Sequence, residues 1–248
     1  MKMHSFRPAP SDSTTTESGT IGEVTAKTAV LFDVDGTLVD SNYLHIQAWS
    51  EALQAVDFPV DDARIHRAIG MDSSKLLDTL LGSQVATVGN KAKSVHSKRY
   101  KKLTSRLRPF QSAKDLLKAV HDHGVLGVLA TSAPPDELAE LRKVLDAEEF
   151  ISLATNADDV ETAKPEPDLL HVALDKAGVT ANNAVMLGDT VWDGVAAAKA
   201  GITFVAVRSG GISAAELREA GAVEVYDDVS HLLRELSSSP LRSLFNDG

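Results

Sequence analysis

The stretch AVLFDVDGTLVDS, from Ala29 to Ser41, decides the fold prediction. Its first four residues are apolar and suit a buried strand, and Asp33 and Asp35 follow directly. Two carboxylates this close together at the end of a buried strand repel each other, which costs free energy unless a cation or hydrogen-bond donors compensate. The stretch therefore predicts a strand that ends at a charged site.

Similar apolar runs recur along the chain and alternate with helical patterns. We predict strands at 29–32, 125–130, 150–154, 184–187, 202–207 and 222–225, and helices at 113–123, 135–145, 167–177, 191–200 and 214–220. Because the strand segments are rich in Val, Ile and Leu without strict alternation, both faces of the sheet should be buried. This pattern predicts an α/β fold, a doubly wound parallel sheet.

One interval breaks the alternation. Between 42 and 108 no strand is predicted, and helices are expected at 43–56, 61–69, 73–81 and 89–107, separated by Pro59, Gly70 and Gly82. We therefore predict an α/β core domain formed by 24–41 and 109–248, with an inserted all-helical domain at 42–108 above the carboxyl ends of the strands. Residues 1–23 are rich in Ser, Thr and Pro and are predicted to be a disordered tail.

The composition excludes several classes of function. The chain has 248 residues, 43% apolar and 24% charged, as is typical of soluble globular proteins. Its net charge of −10 argues against partners such as nucleic acid or an anionic membrane. There is no cysteine, which excludes a thiolate nucleophile and agrees with a cytoplasmic location. We expect a monomer or homodimer without such partners.

Chemically active side chains cluster near the ends of the predicted strands and before a helix. They are Asp33, Asp35, Thr37, Thr131, Ser132, Lys164, Asp189 and Asp193. Because ligands in open α/β sheets bind outside the carboxyl ends of the strands, we expect these side chains to meet at one edge. Clustered carboxylates suit Mg²⁺, and Lys164 with Thr131 could hold phosphoryl oxygens. The set therefore predicts phosphoryl transfer.

These segments resemble the four motifs of the haloacid dehalogenase (HAD) superfamily, in its phosphoglycolate phosphatase and β-phosphoglucomutase-like subgroup. DVDGTLVDS resembles the first motif, the strand ending in Thr131 the second, Lys164 in AKPEPD the third, and GDTVWDG the fourth. The motifs occur in the family's order, and the resemblance extends from about Thr28 to Leu236. It implies a Rossmann-like core, a helical cap and the activity of a phosphoric monoester hydrolase.

The resemblance implies complementary roles for the first two acids. Asp33 would be the nucleophile that forms an aspartyl-phosphate intermediate. Asp35 would donate a proton to the leaving oxygen and then accept one from the attacking water. In the family this second acid contacts the metal through its backbone carbonyl, so that its side chain stays free to carry a proton.

The resemblance also implies a metal site and a phosphoryl site. Asp189 would bind Mg²⁺ together with Asp33, and Asp193 would assist through water or by orienting Lys164. Thr131 and Lys164 would hold the phosphoryl group. Glycine at position 36 would let the backbone approach that group closely.

Several further residues are candidates for contact with the substrate or for cap closure. His45 and Trp49 lie four residues apart on a predicted helix and therefore share a face. The segment IGMDSSKLL at 69–77 resembles the cap's specificity loop. For each residue the alternative is ordinary packing or solvent exposure. The candidates are Gly36, Thr37, Ser132, His45, Arg67, Asp72 and Lys75.

The leading hypothesis is a Mg²⁺-dependent phosphatase of a small metabolite of the sugar phosphate or phosphoglycolate type. A β-phosphoglucomutase-like hexose-phosphate mutase is the alternative within the family. The GDT sequence and Ser132-Ala133-Pro134, where the mutase has a Lys-Asn pair, argue against it. A non-catalytic phosphate-binding or receiver-like module is the alternative of another class, but receivers are about half this length and lack the helical insertion.

Overall fold

The computed structural model describes Met1, residues 27–160, Thr162 and residues 164–245. The predicted disordered tail therefore lies, apart from Met1, outside the described residues. The strands are β1 (Ala29–Phe32), β2 (Val39–Asp40), β3 (Arg108–Pro109), β4 (Leu126–Ala130), β5 (Leu153–Thr155), β6 (Ala184–Gly188), β7 (Thr203–Val207) and β8 (Ala222–Tyr226). Six of them form one parallel sheet in the order β5-β4-β1-β6-β7-β8.

Ten α-helices are found in the described part of the chain. The insertion holds α1 (Asn42–Gln54), α2 (Asp62–Ala68), α3 (Ser73–Leu81) and α4 (Val85–Leu103), and the remaining helices are α5 (Ala113–Asp122), α6 (Pro135–Leu145), α7 (Asp168–Ala177), α8 (Val191–Ala200), α9 (Ala214–Glu219) and α10 (Val229–Arg234). No helix among the described residues combines the length and the apolar character that crossing a bilayer requires.

Both faces of the sheet are covered, as the apolar strands predict. Along β1, Val30 and Phe32 pack into one hydrophobic cluster with side chains of α5, α6 and α10. Ala29 and Leu31 point to the opposite face and pack with α7, α8 and α9. Successive side chains of a strand point to opposite faces, so a strand buried on both sides must be apolar throughout. The predicted doubly wound α/β fold is confirmed.

The helical insertion (residues 42–108) encloses a hydrophobic cluster of its own. Trp49 and Leu53 of α1, Ile65 of α2 and Leu77 of α3 are buried in it. The chain enters and leaves the insertion through β2 and β3, which pair antiparallel with Val39 opposite Pro109. This two-residue ribbon was not predicted, because so short a strand has no hydrophobic period.

Two predicted elements have a boundary that differs from the observed one by three residues or more. The strand predicted at 150–154 begins at Leu153, because Glu148–Phe150 forms a 3₁₀ turn ahead of it. The helix predicted at 89–107 begins at Val85, directly after the turn at Gly82, where φ is +54°. A positive φ favours glycine and ends the preceding helix.

The register of the sheet brings three strand ends together. Phe32 at the end of β1 lies opposite Leu129 of β4 and Leu187 of β6. The next residue, Asp33, donates its backbone N–H to the Leu187 carbonyl at 2.9 Å. The residues that follow these strands therefore share one edge of the sheet, below the insertion.

Candidate active site

Three buried carboxylates from two segments meet at this edge. Asp33 follows β1, Asp189 follows β6, and Asp193 lies in the first turn of α8. Each offers an oxygen atom within 4.8 Å of those of the other two. We refer to these three residues as the carboxylate cluster. Like charges held this close in a buried site require a compensating cation.

Lys164 supplies part of that compensation. Its Nζ donates to Asp33 Oδ1 at 2.6 Å, lies 2.8 Å from Asp193 Oδ1 and donates to the Ala130 carbonyl at 2.9 Å. The side chain is buried, with 1% of its surface exposed. One ammonium group therefore contacts two of the three carboxylates and the end of β4.

Asp193 has a second task besides contacting Lys164. Its Oδ2 accepts hydrogen bonds from the backbone N–H of Thr190 at 3.0 Å and from its hydroxyl at 2.6 Å, which closes a capping box at the start of α8. A Cβ on Gly188 would overlap this carboxylate. The residues of the GDTVWDG segment thus hold Asp193 in place, and its position supports the predicted role in orienting Lys164.

Asp189 is held from the side of the first motif. Thr37 Oγ1 donates to its Oδ1 at 2.8 Å, and Asn42 Nδ2 donates to its Oδ2 at 2.8 Å. Gly36 and Gly210 approach the same oxygen so closely that a Cβ on either would overlap it. Asn42 and Gly210 were not predicted, because nothing in their local sequence indicates a contact with a residue so distant in the chain.

The electrostatics of the carboxylate cluster match the geometry. Burial raises the pKa of Asp33 to about 7; Lys164 opposes the rise, and the charges of Asp193 and Asp35 add to it. Burial, followed by the charges of Asp33 and Asp193, also raises the pKa of Asp189. Burial lowers the pKa of Lys164, but the two carboxylates outweigh it and the net pKa is raised.

The residues at the cluster fit a divalent cation. Three carboxylates stand against one ammonium group, so the buried site carries an excess of negative charge. The available donors are oxygen atoms, which Mg²⁺ prefers over nitrogen or sulfur. Of the four residues predicted to hold the metal, Asp33, Asp35, Asp189 and Asp193, the structure brings together the side chains of all but Asp35.

The side chain of Asp35 lies apart from the carboxylate cluster. Ser41 Oγ donates to its Oδ1 at 2.6 Å, and Thr131 Oγ1 donates to its Oδ2 at 3.4 Å. His45 Nε2 lies 3.5 Å from the same Oδ1. Burial raises the pKa of Asp35, but the hydrogen bonds of His45 and Ser41 and the charges of His45 and Lys164 outweigh it, and the net pKa is lowered.

An aromatic stack supports His45 from within the insertion. The His45 ring stacks on Tyr100 with centroids 3.8 Å apart, and its Nδ1 lies 3.3 Å from Nε2 of His96. Trp49 stacks on His96 with ring centroids 3.9 Å apart. Burial, with the charge of His45, lowers the pKa of His96 to about 2. His96 was not predicted, although its spacing of four from Tyr100 places both on one face of α4.

A cavity of about 190 Å³ lies between the insertion and the edge of the sheet. Asp33, Asp35 and Thr131 form its floor. Ser132 and His45, both predicted for substrate contact, also line it. The hydroxyl oxygen of Ser132 is buried and has no hydrogen-bond partner among the described residues.

Four predicted substrate residues do not line the cavity: Gly36 and Thr37 lie against Asp189, and Arg67 and Lys75 lie farther away. The Arg67 guanidinium pairs with Glu216 of α9, and the Arg67 carbonyl accepts a hydrogen bond from Trp192 Nε1 at 3.0 Å. Lys75 is exposed on α3. Neither lines the cavity, because the apolar side of each helix faces the insertion's own hydrophobic cluster and the charged side chain points outward.

The chain is similar to known proteins. The family model for haloacid dehalogenase-like hydrolases matches residues 30–207. A phosphorylated carbohydrates phosphatase from Thermotoga maritima is 28% identical over 215 residues, which are 84% of this chain and 99% of that protein. A phosphoglycolate phosphatase from Rhodospirillum rubrum is 29% identical over 214 residues, which are 82% of this chain and 88% of that protein.

A solved structure agrees with these matches. The crystal structure of a hydrolase from Pseudomonas syringae has a TM-score of 0.79 and 34% identity, and it covers 86% of this chain and 99% of its own. The chain belongs to the haloacid dehalogenase-like hydrolase family. The predicted family and enzyme class, a HAD-like phosphatase, are confirmed.

Proposed function

We propose that the chain is a Mg²⁺-dependent phosphatase that hydrolyses a small phosphorylated metabolite, of the sugar phosphate or phosphoglycolate type, through an aspartyl-phosphate on Asp33. The insertion would serve as its cap domain. The observation that carries this proposal is the convergence of the carboxylate cluster and Lys164 in one buried site. The named activities of the relatives from Thermotoga maritima and Rhodospirillum rubrum support the substrate class.

The first chemical step uses Asp33 and Asp35. A carboxylate oxygen of Asp33 attacks phosphorus, an O–P bond forms, and the P–O bond to the leaving group breaks. Asp35 gives its proton to the departing oxygen, so that an alcohol leaves. The two side chains line the same cavity, Asp33 hydrogen-bonded to Lys164 and Asp35 to Ser41, so that both can reach one phosphate ester.

The second step releases phosphate. Asp35, now ionised, accepts a proton from a water molecule, and the resulting oxygen attacks the phosphorus of the aspartyl-phosphate. The bond to Asp33 breaks, which yields inorganic phosphate and the free carboxylate. Ser41 and His45 hold Asp35 in position for both transfers.

The carboxylate side chains of Asp33 and Asp189 would hold Mg²⁺, with Asp193 beside them and Asp35 contributing its backbone carbonyl, as the family resemblance implies. When bound, the ion supplies positive charge that offsets repulsion between the carboxylates and the phosphoryl group. Thr131 and Lys164 would bind phosphoryl oxygens. The buried, unpaired hydroxyl of Ser132 is a further donor for this group.

A chromogenic phosphate ester tests the proposal. Wild-type enzyme should release phosphate with Mg²⁺ and lose activity with EDTA, and Asp33→Asn should be inactive in both. Asp115→Asn, an exposed aspartate on α5, is the matched control and should keep full activity. Turnover that survives both EDTA and Asp33→Asn would refute the assignment of Asp33 as nucleophile.

No observation in the site favours the two alternatives. The segment from Ser132 to Pro134 lines the cavity without a lysine, so it offers a second phosphate no cationic side chain. Incubation with β-glucose 1-phosphate and a trace of the bisphosphate tests for a mutase, and we expect no glucose 6-phosphate. A receiver-like module is not supported by the match to a hydrolase family. The cytoplasmic location and the monomeric or homodimeric state stay predictions.

A further inference from the structure

We propose that the leaving group of the substrate carries no second anionic group, and that Glu137 selects it by accepting a hydrogen bond from a hydroxyl or ammonium group. This inference rests on the proposed phosphatase function and narrows its substrate class. It concerns the part of the cavity that lies beyond the phosphoryl site.

The size of the cavity limits the leaving group. Its volume is about 190 Å³, whereas pockets for drug-sized ligands have roughly 300–1,000 Å³. Apolar side chains of the insertion, Trp49, Ile69 and Leu76, form one wall. A leaving group of the size of a short polyol or a single sugar ring matches this space, and a nucleoside does not.

The charge of the cavity limits the leaving group further. Apart from the catalytic pair Asp33 and Asp35, the described lining residues include three carboxylates and one lysine, which are Asp72, Glu137, Asp158 and Lys93. His45 also faces the cavity, but it is engaged with Asp35. No arginine is found among the described lining residues. A carboxylate or second phosphate on the substrate would therefore meet more negative than positive charge.

Among the cavity-lining acids, Glu137 is the one best placed to contact and recognise the leaving group. It lies in the first turn of α6, three residues after the cavity-lining Pro134, and lines both this cavity and the adjacent groove. It has no ion pair within 4.0 Å in the part of the chain that the structure describes, whereas Asp72 caps α3 by accepting the backbone N–H of Ser74 at 2.8 Å.

The surroundings of Glu137 make a ligand partner favourable. Burial raises its pKa to about 7; the charge of His45 opposes the rise and that of Asp35 adds to it. A partly buried carboxyl group without a protein partner gains a hydrogen bond when a ligand supplies a donor. In either protonation state it can accept from a hydroxyl group, and in the ionised state it also attracts an ammonium group.

A set of phosphate esters on one carbon skeleton tests the inference. The set comprises glucose 6-phosphate, glucosamine 6-phosphate, 6-phosphogluconate and glucose 1,6-bisphosphate, with phosphoglycolate as a small anionic ester. We expect kcat/KM to be at least about tenfold higher for the first two than for the three esters with a second anion, mainly through KM.

Variants then locate the discrimination. In Glu137→Gln, the ratio of kcat/KM for glucosamine 6-phosphate to kcat/KM for 6-phosphogluconate should fall by about tenfold. The carboxylate that attracts the ammonium group of the first ester and repels the carboxylate of the second is then absent. Asp136→Asn, the neighbouring acid, lines the adjacent groove instead of the cavity and should leave the ratio unchanged. Lys93→Gln removes an exposed, cavity-lining positive charge and should therefore increase the same ratio of kcat/KM values. This variant provides a test that is independent of any folding defect in Glu137→Gln.

The outcomes separate this inference from the proposed function. If none of the esters is hydrolysed in the presence of Mg²⁺, the phosphatase proposal itself fails. If phosphoglycolate or the bisphosphate is the best substrate, the phosphatase stands and the inference is overturned. An unchanged ratio in both Glu137→Gln and Lys93→Gln would remove the selecting role from Glu137.

Discussion

Asp35 Oδ1 lies 3.5 Å from Nε2 of His45, which joins an acid of the sheet edge to the first helix of the insertion. His45 in turn lies on Tyr100 and beside His96, both on α4. The electrostatic surroundings of Asp35 therefore depend on where the insertion sits. Because His45 lowers the pKa of Asp35, the bound phosphoryl group must raise that pKa again before Asp35 can donate a proton.

Replacement of Asp35 by Asn should separate chemistry from metal binding. The Asp35 side chain contacts Ser41, Thr131 and His45 and lies outside the carboxylate cluster. We expect kcat to fall by about 10²–10⁴, as is usual when a general acid or base is lost. Mg²⁺ affinity, measured by calorimetry, should stay within about twofold of wild type. A parallel loss of Mg²⁺ affinity would contradict the assigned role.

Mg²⁺ should stabilise the fold more at alkaline than at acid pH. Burial raises the pKa of Asp33 to about 7 and also raises the pKa of Asp189. In the unfolded chain an aspartate has a pKa near 3.9, so without metal the folded chain loses stability as pH rises from 3.9 through the raised pKa of each carboxyl group. At 100 times its Kd, Mg²⁺ should raise Tm by about 5–10 °C at pH 8. Its effect at pH 5 should be much smaller.

The variant Asp189→Asn checks the origin of this Mg²⁺ effect. It removes one charge from the carboxylate cluster while Thr37 and Asn42 stay nearby. We expect a higher Tm than wild type in EDTA at pH 8 and little response to Mg²⁺. Asp115→Asn is the control, and Mg²⁺ should raise its Tm as much as it raises that of wild type. If Mg²⁺ raises the Tm of Asp189→Asn equally, Asp189 is excluded as a ligand.

Loss of the Lys164 ammonium group should affect stability and rate together. Lys164→Ala leaves Asp33 and Asp193 buried without their cation, a change that costs about 3–5 kcal/mol of unfolding free energy. Removal of a phosphoryl-binding donor should lower kcat/KM by about 10²–10³. Lys199→Ala, whose exposed ammonium pairs with Glu166, is the control. Unchanged kinetics in Lys164→Ala would leave Lys164 with a structural role only.

His96 should make the fold sensitive to acid. The folded chain holds the pKa of His96 at about 2, whereas the unfolded pKa is near 6.5, so stability is complete above pH 6.5 and falls as pH drops towards 2. At pH 5 the loss is about 2 kcal/mol. His96→Phe keeps an aromatic ring between Trp49 and His45 and should shrink the Tm difference between pH 7 and pH 5.

The control for His96 is an exposed histidine. His171→Gln on α7 should retain the wild-type Tm difference between pH 7 and pH 5. If His96→Phe and His171→Gln lose stability in acid to the same extent, the buried imidazole does not cause the effect.

A single added methyl group should disable the metal site. In Gly210→Ala the new Cβ would overlap Oδ2 of Asp189 and would lie 2.6 Å from Cγ of Asp189 and 2.9 Å from Nδ2 of Asn42. We expect the Mg²⁺-induced rise in Tm to be lost together with activity. Gly89→Ala in α4 is the control, because its new Cβ would meet the Val85 side chain, with Cγ2 at 3.0 Å, and no atom of the metal site within 4 Å.

The sequence predicts the site residues that lie next to a recognisable strand or helix. Asp33, Lys164 and Asp189 each follow or precede a recognisable element, and the parallel order of the strands is enough to bring them together. Asn42 and Gly210 carry no such signal, since each matters only through contact with Asp189. The outward direction of Arg67 was also not predicted, because a short helix pattern does not show which of its charged residues faces a neighbouring element.

The β2–β3 ribbon constrains how the insertion can move. Both crossings between the two parts of the chain are hydrogen-bonded to each other, with Val39 opposite Pro109 and Asp40 opposite Arg108. Two connecting segments that are paired side by side permit the insertion to rotate about the ribbon. They resist sliding or twisting of the insertion relative to the α/β core. We therefore expect the insertion to move by rotation about this one hinge. Each closure should then return His45 to the same oxygen of Asp35.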